Sequence, residues 1–239
     1  MVPEAVVADA RRWLAISATV TYPRAMAWAG RVAAVSRETP KLSRVRLEVP
    51  PGLRERYRMP GQILPFTGPD GSPVYLALAS DPGAPEWELL ASDDAIHDVK
   101  LVPGQTLDLP EPVGSGFDPA HAAGRDVVLF GVGSALGPLR PLIRALLADR
   151  SNYGWVRLYA GVRSREHVPF ADEMETWRRE RVDVFVCLSK PWVQDVFRRD
   201  PPDLSDAVAY VCGMEGMLTG VTAALGDAGL PAERVFRNY

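Results

Sequence analysis

Within Asp126–Arg144, DVVLFGVGSALGPLRPLIR, the apolar run Val127, Val128, Leu129, Phe130 meets Gly131 and Gly133. Leu136, Leu139, Leu142, Ile143, Leu146 and Leu147 then recur at helical spacing. A buried parallel strand that passes through glycines into a helix brings bare N–H groups together with the positive end of the helix dipole. That arrangement receives a pyrophosphate or another anion. Glycine matters there because a side chain would hold the phosphates away from the backbone. Gly131, Gly133 and Ser134 are therefore candidate anion-binding residues, although the same pattern also serves as a plain tight turn.

Other reactive residue types are sparse. Arg163, Ser164 and Arg165 follow an apolar run and offer guanidinium forks of the kind that grip phosphate, or else form a solvated loop. Cys187 and Cys212 cannot supply the four ligands that a structural zinc or an iron–sulfur cluster usually takes; each lies in an apolar run, as reduced structural cysteines do. His97, His121 and His167 show no metal-ligand spacing, so no metal is expected. Trp177 and Trp192 read as helix anchors, and Glu173–Arg181 as an exposed helix face.

The elements that must position these residues fall into two groups. From residue 29 to 118, short alternating runs at Arg31–Val35, Val45–Val49, Ile63–Phe66, Val74–Ser80, Glu86–Ser92 and Thr106–Leu109 predict strands. Pro-Pro-Gly (50–52), Pro-Asp-Gly (69–71), Asp-Pro-Gly (81–83) and Pro-Gly (103–104) separate them as turns, which predicts a small antiparallel β-barrel. After a polar linker at 119–125 the period changes. Strand-like runs at 127–130, 155–160, 182–188 and 208–212 alternate with helical runs at 136–149, 170–181, 192–199 and 214–228. That alternation predicts a doubly wound parallel sheet, an α/β domain over 119–239, with ligands at the carboxyl ends of its strands. There Gly131–Gly133, Gly161–Arg165 and Cys212–Met217 converge.

Composition sets the outer bounds. The 239 residues are 47% hydrophobic and 24% charged, proportions of a globular chain long enough for a real core. A net charge of −3 argues against a nucleic-acid partner. No apolar run approaches the roughly 20 residues of a membrane span, and a cytoplasmic location is expected. Arg11–Arg12 before Trp13–Ile16 faintly resembles a twin-arginine export signal, but Glu4 and Asp9 precede it and Pro23 soon follows. Residues 1–28 are read as an extension.

Six segments in order resemble the ferredoxin–NADP reductase superfamily of FAD- and NAD(P)-binding oxidoreductases. Gly61–Gln62 after Pro60 resembles its Pro-Gly-Gln strand entry, and Leu78–Ala79–Ser80 its Ile-Ala-Ser flavin strand. Pro112–Phe117 is similar to the Gly-Asn-Gly-Phe segment in the electron-transfer subunit of dihydroorotate dehydrogenase, the nearest branch, here without an iron–sulfur domain. Gly131–Pro138 resembles the nicotinamide-nucleotide turn, Tyr159–Arg163 the Tyr-Gly-Ala-Arg strand end, and Cys212–Gly213 with Met217 the late Cys-Gly-x-x-x-Met signature. The chain also ends, as many in that superfamily do, on an aromatic residue, Tyr239.

The resemblance implies electron transfer from NAD(P)H through FAD to an acceptor that the sequence does not name, with a redox partner protein as a candidate. It places Gly61, Gln62, Leu78, Ala79 and Ser80 beside the flavin and Gly114, Ser115 and Gly116 at its pyrophosphate. Gly131, Gly133, Ser134, Gly213 and Met217 would hold the nicotinamide dinucleotide. Arg163 and Ser164 would meet a 2′-phosphate. Cys212 would lie near the hydride-transfer carbon, and Tyr239 would cover the flavin; each also has an ordinary packing reading.

Departures keep a second reading open. The superfamily's Arg-x-Tyr-Ser flavin strand falls on Val74, Leu76 and Ala77; a shift by one restores Tyr75 but no arginine. Its phosphate segment reads Ser92–Asp93–Asp94–Ala95–Ile96–His97, with two carboxylates that a diphosphate would repel unless they point away. Ala135 stands where glycine is common, and Lys190–Pro191–Trp192 shortens a loop. The alternative is a reductase-like binding or regulatory protein without tight flavin binding.

Overall fold

The computed structural model describes residues 28–238. Its first lobe is built from β1 (Trp28–Thr39), β2 (Leu42–Glu48), β3 (Ile63–Thr67), β4 (Pro73–Ala77), β5 (Glu86–Ser92) and β6 (Thr106–Leu109). Four strands pair antiparallel in the order β5-β2-β1-β6, and β3 and β4 form a hairpin. Bridges Ile63 to Val113 and Leu78 to Leu89 join the hairpin to the rest, so the lobe is a curled half-barrel. Alternation puts Val32, Val45, Leu47, Leu64, Trp87 and Leu89 on the inner face, all completely buried.

Gly71, Gly83 and Gly104 have positive φ at three of the expected turns. The fourth differs. Pro-Pro-Gly opens a short helix, α1 (Pro51–Arg54), because proline at the first helical position loses no hydrogen bond. A second helix, α2 (Asp93–Val99), was not expected. The Ser92 hydroxyl accepts from the Ala95 N–H, and Asp93 and Asp94 sit in its first turn, where the dipole favours carboxylates.

The second lobe runs β7 (Asp126–Val132), α3 (Leu136–Ala148), β8 (Val156–Val162), α4 (Ala171–Arg179), β9 (Val182–Leu188), α5 (Val193–Arg199), β10 (Ala207–Cys212), α6 (Glu215–Asp227) and β11 (Val235–Phe236). The five strands are parallel in the order β11-β10-β7-β8-β9. Leu129, Leu142, Ile143 and Leu158 pack on one face, and Phe130, Tyr159, Phe197 and Leu218 on the other. Near-continuous apolar strands are what burial of both faces requires.

A buried cation ties the lobes together. Arg140 of α3, 4% exposed, donates from Nη1 to the Ala79 carbonyl (3.1 Å) and to Glu88 of β5, and from Nε and Nη2 to Glu173 of α4 (2.9 and 2.7 Å). Arg144, one turn on, bridges Glu173 (2.9 Å) and Asp81 (3.2 Å). The Phe170 ring lies 4.7 Å from the Arg140 guanidinium carbon, and the Phe170 N–H donates to Glu38 of β1 (2.7 Å). Glu173 is thus no part of an exposed face; only the rest of the charged run on α4 follows that expectation, with Trp177 buried as an anchor.

Burial alone would raise the Glu173 carboxyl, but hydrogen bonds from Arg140 and Arg144 outweigh it and hold the group below the ordinary carboxylate range. A depressed carboxylate stabilises the fold above its unfolded pKa, and that contribution disappears as pH falls through the folded value. Chemical denaturation should therefore show wild-type stability falling below about pH 4, with a flatter acid limb in Glu173→Gln. Arg140→Met leaves the part-buried Glu88 without its cation and Glu173 with Arg144 alone, and should lose about 2–3 kcal/mol in urea unfolding at pH 7; a loss under about 1 kcal/mol would show the cation to be incidental.

Candidate functional site

The carboxyl ends of β7, β8, β9 and β10 open on one edge of the parallel sheet. At the β7 end, Gly133 has φ +58° and nothing would meet a Cβ within 4 Å, so the turn faces open space. Gly133–Ala135 form one 3₁₀ turn leading into α3, with Ser134 exposed. Neither α3 nor α6 has a side-chain hydrogen bond capping its start. The Leu136 N–H that begins α3 donates back into the 3₁₀ turn, so the amides offered there are those of Gly133–Ala135, and they lie at a strand end next to the start of α6, since β7 and β10 are paired. That is the chemistry of an anion seat.

Gly131 has a different task from Gly133. A Cβ there would lie 2.7 Å from Leu139 and 3.0 Å from Leu136, so its absence lets α3 close on the sheet. Ala135, directly before α3, is partly buried against the core of the sheet. Gly161 likewise admits Val132 and Val193 at 2.8 and 2.9 Å. Gly213 accommodates the Met217 sulfur at 2.8 Å, which gives Cys-Gly-x-x-x-Met a packing reason: the methionine folds back over the glycine one turn earlier.

Cations gather beside this edge. Arg163 and Arg165 are exposed after β8, and Lys190 after β9; none pairs with a carboxylate among the described residues. Ser164 Oγ lies 2.7 Å from His167 Nδ1, and Ser189 Oγ donates to the Arg163 carbonyl (2.6 Å). Trp192, read from sequence as an anchor, is 54% exposed at the start of α5, and Met214 is 61% exposed at the start of α6. Both are candidate contacts that sequence reasoning passed over; only their place at the strand ends distinguishes them from packing residues.

The residues expected beside a flavin are enclosed. Leu78, Ala79 and Ser80 are 0%, 1% and 4% exposed. The Ala79 carbonyl receives Arg140, the Ser80 carbonyl receives Tyr57 Oη (2.7 Å), and Ser80 Oγ accepts from the Glu88 N–H (3.0 Å). Burial raises the Tyr57 phenol, so it remains a donor. Gln62 joins loop to loop, its Oε1 accepting from Arg58 and Met59 N–H and its Nε2 donating to the Gly114 carbonyl (3.0 Å).

Gly114 and Gly116, expected to cradle a pyrophosphate with Ser115, need their left-handed backbone for another reason. A Cβ on Gly114 would lie 2.8 Å from the Asn238 carbonyl, and one on Gly116 would lie 2.7 Å from Met59 and from the Pro60 carbonyl. The Gly116 N–H donates to the Asn238 carbonyl (3.3 Å). Gly61 makes room for Phe117 at 2.7 Å. These glycines seat the end of the chain and join the lobes. Val74, Tyr75 and Ala77 are half-buried on β4.

Cys212 ends β10, and burial pushes its thiol up to about 12, so it stays protonated. Its Sγ donates to Asn238 Oδ1 at 3.6 Å. Cys187 is also a free thiol, pushed up to about 11 by burial. Tyr239 and the extension before residue 28 lie outside the described residues. Among the described residues no helix is long and apolar enough to cross a membrane, and no three His, Cys, Asp or Glu side chains group as metal ligands.

Residues 129–223 match the family model described as the oxidoreductase NAD-binding domain. The chain is 26% identical over 219 residues to sulfhydrogenase 1 subunit gamma of Pyrococcus furiosus, covering 83% of this chain and 74% of that one. It superposes on the Amycolatopsis cytochrome P450 reductase GcoB with a TM-score of 0.78 at 20% identity, over 89% of this chain and 69% of that one. A ferredoxin NADP+ reductase from Neisseria gonorrhoeae, solved with bound FAD and NADP, gives a TM-score of 0.74 at 18% identity, over 87% and 96%. The chain therefore has the two-lobed fold of the ferredoxin–NADP reductase-like oxidoreductases, with a recognisable NAD-binding domain as its second lobe.

Alanine at 133 and at 116 should separate strain from collision. Gly133→Ala meets only the left-handed backbone, about 1–2 kcal/mol, whereas Gly116→Ala adds the Met59 and Pro60 contacts. Urea unfolding should show the second clearly less stable; equal losses would mean those contacts yield freely.

Proposed function

We propose that this chain is an NAD(P)H-dependent oxidoreductase that moves electrons from nicotinamide through FAD to an acceptor on a partner protein. The observation that carries the reading is the overlap of the NAD-binding match, residues 129–223, with the edge where two uncapped helices begin. The Pyrococcus relative bears the name of one subunit of a sulfhydrogenase, which supports an acceptor held by a partner.

In this reading the amides of Gly133, Ser134 and Ala135 and the first amides of α6 bind the dinucleotide pyrophosphate. Arg163 or Arg165 meets the 2′-phosphate of NADPH, with Ser164 shaping the loop, and Gly213 and Met217 pack the wall behind. The neutral Cys212 thiol offers a donor beside the nicotinamide; as a protonated thiol it is no nucleophile. A bound flavin supplies hydride acceptance and one-electron release. The chain's part is to align rings and exclude water, with Leu78–Ser80 and Arg140 fixing the distance between lobes and Tyr239 proposed as a cover.

At the segment expected to meet the flavin pyrophosphate, a Cβ on Gly114 would lie 2.8 Å from the Asn238 carbonyl, and the Gly116 N–H donates to that same carbonyl. These observations favour the second reading, a reductase-like nucleotide-binding or regulatory subunit that binds flavin weakly. Colour separates the two. Purified protein absorbing near about 450 nm and bleaching on NAD(P)H supports the electron-transfer reading; colourless protein that takes up no FAD on titration supports the other.

Two variants test the nucleotide site. Ser134→Glu puts a carboxylate where the helix dipole welcomes it but a pyrophosphate does not. Calorimetry should show ADP-ribose binding weakened at least about 10-fold while melting temperature holds or rises. Arg163→Ala should weaken NADPH and spare NADH; equal effects on both would remove the 2′-phosphate role.

A further inference from the structure

The backbone of Phe170, where the loop after β8 turns into α4, is left-handed, with φ +56°. A phenylalanine adopts that conformation only at a cost, which its surroundings must offset. Its N–H donates across the seam to Glu38 Oε1 (2.7 Å), and its carbonyl accepts the Met174 N–H of α4 (2.9 Å). The buried ring lies 4.7 Å from the guanidinium carbon of Arg140 on its own lobe and 5.3 Å from that of Arg44 on the other. Glu38 is committed on both oxygens, since its Oε2 accepts from Arg44 Nη2 (2.8 Å), and its side chain is only 15% exposed. A first-lobe carboxylate thus holds a strained backbone joint of the second lobe.

The loop of cations at the sheet edge depends on that joint. Residues 163–170 run from the end of β8 to Phe170 and are fixed at both ends. At the sheet end, Ser189 donates its N–H to the Val162 carbonyl (2.8 Å) and its Oγ to the Arg163 carbonyl (2.6 Å). At the seam end, Phe170 and the buried Pro169 follow a 3₁₀ turn, Arg165–His167. That turn is closed by the His167 N–H on the Ser164 carbonyl (3.0 Å) and the Val168 N–H on the Arg165 carbonyl (3.3 Å). Arg163 therefore takes its place from the sheet, and Arg165 from the seam.

We infer that Glu38 is a positioning residue for nucleotide choice. By holding Phe170 it holds Arg165 where a 2′-phosphate can meet it, so the first lobe sets how strongly the second prefers a 2′-phosphorylated dinucleotide. This rests on the 2′-phosphate reading above but not on the flavin. Glutamine at position 38 cannot replace the carboxylate, because an amide that turns its oxygen to Arg44 turns its NH2 toward the Phe170 N–H. The coupling is reciprocal, so a phosphate bound at Arg165 in turn tightens the Phe170 joint.

The test titrates ADP-ribose and 2′-phospho-ADP-ribose, which differ by the phosphate alone, calorimetrically into the full chain and into Glu38→Gln. Wild type should bind the phosphorylated probe more tightly. In Glu38→Gln that advantage should fall about 5-fold while ADP-ribose stays within about twofold, a split that general loosening of the lobes would not produce. An unchanged advantage would overturn the inference. A second readout needs no substitution. The Phe170 amide of wild type, followed by NMR, should exchange with solvent more slowly under saturating 2′-phospho-ADP-ribose than under saturating ADP-ribose; equal rates would also overturn the inference. Wild type with no advantage for the phosphorylated probe would remove the 2′-phosphate role and the inference together, with the dinucleotide site intact. Failure of both probes to bind wild type would remove the dinucleotide reading itself.

Discussion

The structure depends on one cation held between the lobes. Arg140 leaves α3 through a buried seam and reaches a carbonyl and a carboxylate of the half-barrel, Ala79 and Glu88, and a carboxylate of α4, Glu173. A desolvated guanidinium has little net worth against an apolar replacement of the whole cluster, but leaving one member unpaired is expensive. The network therefore acts less as glue than as a locator. It sets the strand Leu78–Ser80 against the start of α3, where Gly137 lets Leu90 and Ala79 approach to 3.1 and 3.5 Å of a would-be Cβ. Asn238, between Gly61 and Cys212, and the Phe170 N–H, bonded to Glu38, join the lobes elsewhere along the same seam.

Glycine shows how one residue type serves unlike purposes in this chain. Gly133 faces open space and leaves backbone available to a ligand. Gly131, Gly161 and Gly213 remove a Cβ so that a leucine, a valine or a methionine can pack. Gly114 admits the Asn238 carbonyl, and Gly116 admits Met59 and the Pro60 carbonyl. All six lie in segments that resemble cofactor-binding motifs, yet only Gly133 among them is open in the structure described. Several of these positions therefore reflect the architecture that carries a nucleotide site, and their presence is compatible with more than one degree of flavin occupancy.

The two lobes contribute differently to a redox reading. The second matches the NAD-binding family model over residues 129–223 and begins α6 without a side-chain cap at the carboxyl edge of its sheet. The first is a curled half-barrel in which acidic residues open α2 and Asn238 lies against the glycine segment. Asn238 bridges the two lobes, its Nδ2 donating to the Gly61 carbonyl and its Oδ1 accepting from the Cys212 thiol.

Much of this was legible in the sequence. Period-two runs and turn residues located nearly every strand of the half-barrel, because alternation and positive-φ glycine are local requirements. The change to alternating strands and helices disclosed the parallel sheet, and Gly131–Gly133 marked the strand-to-helix turn at its carboxyl edge. Helix α2 was hidden behind a strand-like run and a motif comparison, although Ser92 with two aspartates was a legible start signal. Tertiary structure alone decided the rest: that Glu173 is an interlobe ligand of Arg140, that Trp192 is exposed, that Gly114 and Gly116 face Asn238, and that the last carboxamide bridges two lobes. These facts join residues as far apart as Gly61 and Asn238. Local periodicity carries no information about such pairs, because hydrogen bonds and close packing across a seam exist only once both lobes are folded.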